Sequence, residues 1–311
     1  MKIRRYTASD KELWNTFVAR SRQGTFLFDR DYMEYHADRF EDHSLLFFND
    51  HDHLIALLPA NLKGNVLHSH QGLSYGGLLY TNDARTADIL SCFDSLKEYA
   101  QSQAIASLIY KRIPYIYHRY FADEDLYALF RHKATLIRRD IGQTIDLRNP
   151  IPLSRNKKRY MKHFQSPEYD IRPSTDFDAF YTILEHTLSR HHVKPVHTSA
   201  ELKLLTERFH SSIFLYALHY KEDIHAFCWM FSTPKVLHIQ NMSVSDYGRE
   251  HHFIDYVYNW VFSQFSKEYD YLSFGVSTEN NGLTLNYGLT DQKERFGARG
   301  LSYDFYELSF I

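Results

Sequence analysis

One order of predicted elements runs through this chain twice, and few folds are open to a chain that repeats it. In the first half Ser9 and Glu12 stand at capping-box spacing ahead of Leu13, Trp14, Phe17 and Val18, which mark one face of a helix. Three short apolar runs follow, 44–48, 53–60 and 65–70, separated by 49–52 and by the turn Lys63-Gly64, and they read as an antiparallel meander. Beyond the glycine-rich stretch 72–77, Ile89, Phe93, Leu96 and Ala100 recur at helical spacing. A short apolar run at 107–110, a helical segment near 123–130 and an extended one over 134–147 close this half.

The second half keeps that order. Thr175 with Asp178, and Thr198 with Glu201, are capping boxes that open two helices. Runs at 213–220, 224–231 and 235–243 predict a second three-stranded meander, and a polar loop at 245–252 leads into a helix marked by Phe253, Val257, Trp260 and Val261. A strand at 271–274, a helix at 289–296 ended by Gly297 and a last strand at 301–310 complete it. The fold class this implies is α+β, a mixed and largely antiparallel sheet flanked by helices, built twice. The paired prolines Pro150 and Pro152 put the boundary there, giving domains 1–149 and 150–311.

Bulk properties remove several function classes. The 311 residues carry a net charge of −2, so no global field holds a polyanion such as DNA, and any anion site is local. Cys92 and Cys228 lie in apolar stretches without CxxC spacing, as in a reducing compartment. No apolar run reaches the length of a membrane span and the first residues are polar, so a cytoplasmic protein is expected. The 19 histidines include the clusters His51/His53, His68/His70 and His191/His192/His197, but none has HExxH geometry, and no metal is expected. Neither a GxSxG elbow nor a P-loop occurs.

The stretch 274–299, FGVSTENNGLTLNYGLTDQKERFGAR, carries Phe274-Gly275, a polar loop, Gly288-Leu289, Lys293 and Phe296-Gly297. It resembles the strand and helix signature of the FemAB-like branch of the GNAT acyltransferase superfamily. The basic run 155–162, the segment RHHVKPVHT at 190–198 and GLSYGG at 72–77 are similar to further parts of that group, so the resemblance spans nearly the whole chain. Two departures stand out. Gln292 precedes the lysine where many Fem-type aminoacyltransferases have Phe, and no heptad run supplies a coiled-coil arm. The resemblance implies two tandem GNAT-like domains and an N-acyltransferase. Its donor would be acyl-CoA or aminoacyl-tRNA as co-substrate, with no permanently bound cofactor. Its acceptor would be an amine, of an amino sugar or peptide bound for surface polysaccharide or cell wall, and charged tRNA is a candidate partner.

Acyl transfer to an amine needs a neutral nucleophile, a polarised carbonyl and a place for the oxyanion charge. Lys293 is the candidate for that charge, against the alternative of a solvated lysine. Glu279, in the loop leaving a strand, is the candidate general base, against a capping or ion-paired carboxylate. In GNAT enzymes the strand-to-helix loop holds the donor pyrophosphate, and here Gly248 and Arg249 occupy it. His238 and Gln240 alternate on one strand face, pointing into either a cleft or a core, and are grouped with the donor. Arg155, Lys158 and Arg159 in the basic run, with Tyr75 beside Gly76-Gly77, are the substrate-binding candidates; the alternatives are a solvated helix face and a tight turn. The rival function is a non-catalytic binding module with a degenerate donor site, because the glycine-rich form of the phosphate loop is missing.

Overall fold

The computed structural model describes residues 1–153, 168–190 and 193–311. The chain is α+β and divides into two compact units. One comprises Met1–Ile141, Thr278–Thr284 and Ser302–Ile311, the other Gly142–Ser277 and Leu285–Leu301. These bounds differ from a single cut at Asn149. The division falls inside the strand Thr135–Asp146, and the chain's end returns to the first unit because Phe305–Ser309 pairs antiparallel with Ser107–Lys111. Such a long-range pairing leaves no local trace in sequence.

In the first unit Lys2–Arg5, Leu45–Phe48, Leu54–Leu58 and Leu79–Tyr80 form one antiparallel sheet. The expected three-stranded meander is absent. Pro59 has no N–H for a ladder, and after it the chain leaves that sheet: Asn61–Lys63 pairs with Val66–His68 in another sheet, where 66–68 runs parallel to Ser107–Lys111. Phe93 and Leu96 of the helix Thr86–Ser102 pack with Leu45, Phe47, Leu58 and Leu108 in the unit's core.

In the second unit the expected meander stands as read. Tyr169–Pro173, Ile213–Tyr220, Asp223–Ser232 and Val236–Val244 are antiparallel neighbours in that order. Tyr271–Val276 then lies parallel to Val236–Val244 and antiparallel to the end of Thr135–Asp146. Alternation along the central strand sends its residues to two faces. Phe227 and Trp229 meet Phe180 of the helix Phe177–Ser189, whereas Ala226, Cys228 and Met230 pack with Phe253, Val257 and Val261 of the helix Phe253–Phe265. Capping starts the first two helices: the Asp176 carboxylate accepts from the Ala179 amide at 2.9 Å, and Thr198 and Glu201 form a reciprocal box. Cys92 and Cys228 are free and buried, and burial pushes the Cys92 thiol up to about 12. Among the described residues no helix is long and apolar enough to cross a membrane.

Candidate functional site

Two parallel strands of the second unit pair briefly and then part. Val236, Leu237 and His238 face Tyr271, Leu272 and Ser273, and the ladder ends there although the strands continue to Val244 and Val276. Each strand is irregular just past that point. On one, Trp229 pairs with Asn241 and Met230 with Ile239, so Gln240 is the extra residue of a bulge. On the other, Phe274 and Gly275 are both set against Gln143, and Gly275 takes a φ of +68°, which glycine adopts without strain. Bulges raise local twist and turn strands aside. Beyond His238 the edge of Val236–Val244 carries backbone groups outside the parallel ladder, a hydrogen-bonding template for an extended ligand.

Side chains converge on this fork. Asn286 caps the helix Tyr287–Glu294 by accepting from the Leu289 amide at 3.0 Å, and Lys293 is the buried residue of that helix, 4% exposed. Its ammonium donates to the carbonyls of Gly275 at 3.1 Å and Val276 at 3.0 Å and to Ser277 Oγ at 2.8 Å. Ser277 in turn donates to Gln143 Oε1 at 2.5 Å. Burial pushes the Lys293 ammonium down to about 7, while the three acceptors work to keep it charged. No carboxylate of the described residues forms an ion pair with it.

His238 stands at the last rung of the ladder. Its Nδ1 lies 3.1 Å from Ser273 Oγ, and a Cβ on Gly275 would come within 3.4 Å of its ring, so the glycine makes room for the imidazole. Burial first and the Lys293 charge second lower its pKa to about 4, against a hydrogen bond with Gln240 that favours the charged form. The ring is therefore neutral at neutral pH. The structure thus brings Lys293, His238 and Gln240 together and adds Ser273, Ser277 and Gln143, which sequence reasoning passed over. Gln143 left the only signal, a buried polar residue inside an extended run.

Glu279 is exposed in the short strand Thr278–Glu279, which counts with the first unit. The stretch at 245–252 is not an open loop: Asp246–Glu250 is a short helix, and the Gly248 amide already donates to Ser245 Oγ at 3.0 Å. A Cβ on Gly248 would sit 2.8 Å from the His225 carbonyl oxygen, so packing explains that glycine. Arg249 is exposed beside Asp246 at 3.6 Å. Tyr75 is buried in the first unit, its hydroxyl 3.1 Å from Thr25 Oγ1, its ring 4.3 Å from that of Tyr117, and a side chain so enclosed presents nothing to a ligand. Arg155, Lys158 and Arg159 lie outside the described residues.

Neither a protein-family model nor a curated protein sequence matches the chain. Solved structures do. The crystal structure of FemX superposes with a TM-score of 0.67 at 9% identity, covering 98% of this chain and 97% of its own. The fold is that of FemX. The C-terminal domain of a putative lysylphosphatidylglycerol synthetase from Agrobacterium fabrum follows at 0.64 and 11% identity, over 97% of this chain and 93% of that one. A tandem GNAT protein from the clavulanic acid biosynthesis pathway matches at 0.53 and 11% identity, over 100% and 98%. The resemblance drawn from 274–299 therefore holds as a likeness of fold to FemX and the tandem GNAT proteins. Roles for individual side chains rest on the geometry of the fork.

Proposed function

We propose that this protein is an N-acyltransferase, moving an acyl or aminoacyl group from acyl-CoA or aminoacyl-tRNA to an amine acceptor, with the donor laid along the fork. The parting of the two parallel strands carries the reading, because past His238 the edge of Val236–Val244 offers backbone partners to an extended, amide-bearing donor beside a buried cation. The fold shared with FemX and with a lysylphosphatidylglycerol synthetase domain supports the reaction class by analogy. Those relatives also suggest cell-envelope acceptors, such as an amino sugar or peptide.

In this scheme the neutral amine attacks the donor carbonyl, the new C–N bond forms, and the C–S or C–O bond to the carrier breaks after the tetrahedral intermediate. The amine's proton passes to a neutral base and from that base to the leaving group, so the base ends the cycle neutral. His238, neutral at the fork, is our candidate for that base, and Glu279 is kept as a second candidate. Every N–H of Lys293 is already engaged by Gly275, Val276 and Ser277. Its role is to position the end of the 271–276 strand and to lend positive charge to the oxyanion. Arg249, exposed at the short helix, is proposed to meet donor phosphate.

The occupied Gly248 amide favours a second reading, a binding module that holds a donor without transfer. The deciding experiment incubates the protein with a panel of mass-tagged acyl-CoA and charged tRNA donors and an amine panel. Transfer abolished by His238→Ala supports the enzyme; donor binding by calorimetry without transfer to any amine supports the module; neither binding nor transfer defeats both.

A further inference from the structure

The second unit contains a cavity of about 310 Å³ in the layer between its sheet and the helix Phe253–Phe265. Ile145 and Leu272 come from the strands, Phe262 from the helix, and Phe296 from just past Lys293. The segment 150–153 forms the remaining wall. Its two prolines fix their own φ angles. Gly297, at a φ of +90°, lets the Ile151 carbonyl approach to where a Cβ would stand 3.0 Å away. The wall is thereby held off the floor rather than collapsed onto it, and Ile151, 41% exposed, marks where the cavity meets solvent.

Among the described residues no charged side chain lines this space, and its polar side chains are Tyr258 and Asn259. The Tyr258 ring is clamped edge-on by Phe274 at 5.0 Å and Phe296 at 4.7 Å. Its hydroxyl has no hydrogen-bond partner among the described residues. A walled apolar space with an unpaired tyrosine hydroxyl and an asparagine amide in its lining, and no charge to meet a phosphate or carboxylate, matches one chemistry. We infer that the cavity binds a single aliphatic chain, the tail of an amphiphile whose charged end stays outside and whose carbonyl oxygen accepts from Tyr258. The volume lies near the low end of pockets for small ligands, roughly 300–1,000 Å³, which suits one chain of medium length and not a two-chain lipid. The chain has two possible sources, a free amphiphile or the tail of an acyl donor.

Isothermal titration with decanoic acid, methyl decanoate and decanoyl-CoA tests this. Saturable binding at one site per chain with a negative heat-capacity change is expected, since apolar surface is buried. Ile151→Trp, at the mouth, weakens decanoic acid by roughly tenfold or more. Tyr258→Phe weakens methyl decanoate several-fold while the melting temperature stays, because the hydroxyl has no internal partner to lose. Equal affinity of decanoic acid and decanoyl-CoA marks a free amphiphile; much tighter decanoyl-CoA marks a donor tail. Decanoic acid binding by the wild-type protein needs no acyl transfer, so it survives a failure of the transferase reading and the two failures are distinguishable. Absence of saturable binding, or wild-type affinity in folded Ile151→Trp, overturns the inference. Should Ile151→Trp not fold, photolabelling of the wild-type protein by a diazirine-bearing decanoic acid decides: label on cavity residues supports the site, and label elsewhere alone overturns it.

Discussion

Each unit contains a short parallel pair of strands, and the two pairs end differently. In the first unit Val66, Leu67 and His68 face Ser107, Leu108 and Ile109; in the second, Val236, Leu237 and His238 face Tyr271, Leu272 and Ser273. A histidine holds the last rung in both. Past that rung the first unit fills the opening with its own chain. The Ser69 amide donates to the Ile109 carbonyl at 2.9 Å, Ser69 Oγ accepts from the Lys111 amide at 2.7 Å, and the Gly76 amide donates to the Lys111 carbonyl at 2.9 Å. Gly77, at a φ of +102°, brings the chain against Tyr110, whose hydroxyl accepts from the Leu78 amide at 2.8 Å. Among the described residues the second unit has no such plug. Its carbonyls at Gly275 and Val276 are met by the Lys293 ammonium. Satisfying the backbone with chain makes a scaffold, and satisfying it with one charged side chain places a buried cation beside strands that have parted.

The histidines break this comparison most sharply. Under the transferase reading His238→Ala lowers kcat/KM by about 10²–10⁴, whereas His68→Ala, on the filled fork, leaves turnover within about twofold; equal losses would mean that the second fork is not special. The buried lysines come next. Lys111, which burial pushes down to about 8, donates to the Leu73 carbonyl. Lys293→Met costs about 2.7–4 kcal/mol of transition-state stabilisation in transfer assays, while Lys111→Met changes turnover little and both are read against melting temperature.

Glycines sharpen the contrast in stability. Gly77→Ala would put a Cβ 2.8 Å from Tyr110 Oη and costs about 1–3 kcal/mol in denaturant unfolding. Gly275→Ala, with a nearest ring atom at 3.4 Å, costs about 1–2 kcal/mol from φ alone but affects transfer more, because its Cβ crowds His238.

The smallest effects are in pH. The Lys293 pKa is lowered from 10.5 to about 7, so between those values the unfolded chain binds the extra proton and stability rises with pH. His238, lowered from 6.5 to about 4, makes stability fall as pH drops through that window. Denaturant titrations of Lys293→Met and His238→Ala lose the alkaline and the acid slope respectively; an unchanged slope removes the corresponding group from the buried site.

Much of the candidate site was legible because its signal is local. Phe274-Gly275, Lys293 and Phe296-Gly297 lie within one strand, loop and helix, and the capping residue Asn286 sets where that helix starts. What those residues touch was not legible. Ser277 and Gln143 are 134 positions apart, and no periodicity marks such a pair. The apolar run 53–60 could not reveal that the chain leaves its sheet at Pro59 and enters another at Asn61. Gly76-Gly77 and Gly275 are equally suggestive as sequence. Only packing sets the first against Tyr110 and the second beside His238 and Lys293.

By itself the sequence determined most of the elements, the meander of the second half and the residues with unusual chemistry, because capping, alternation and helical spacing act over a few positions. Tertiary structure alone decided that Lys293 would meet two carbonyls and a hydroxyl instead of water, that Tyr75 would be enclosed, and that the last strand would join the first unit. Those outcomes depend on which distant segments exclude water from one another, and that competition has no local signature.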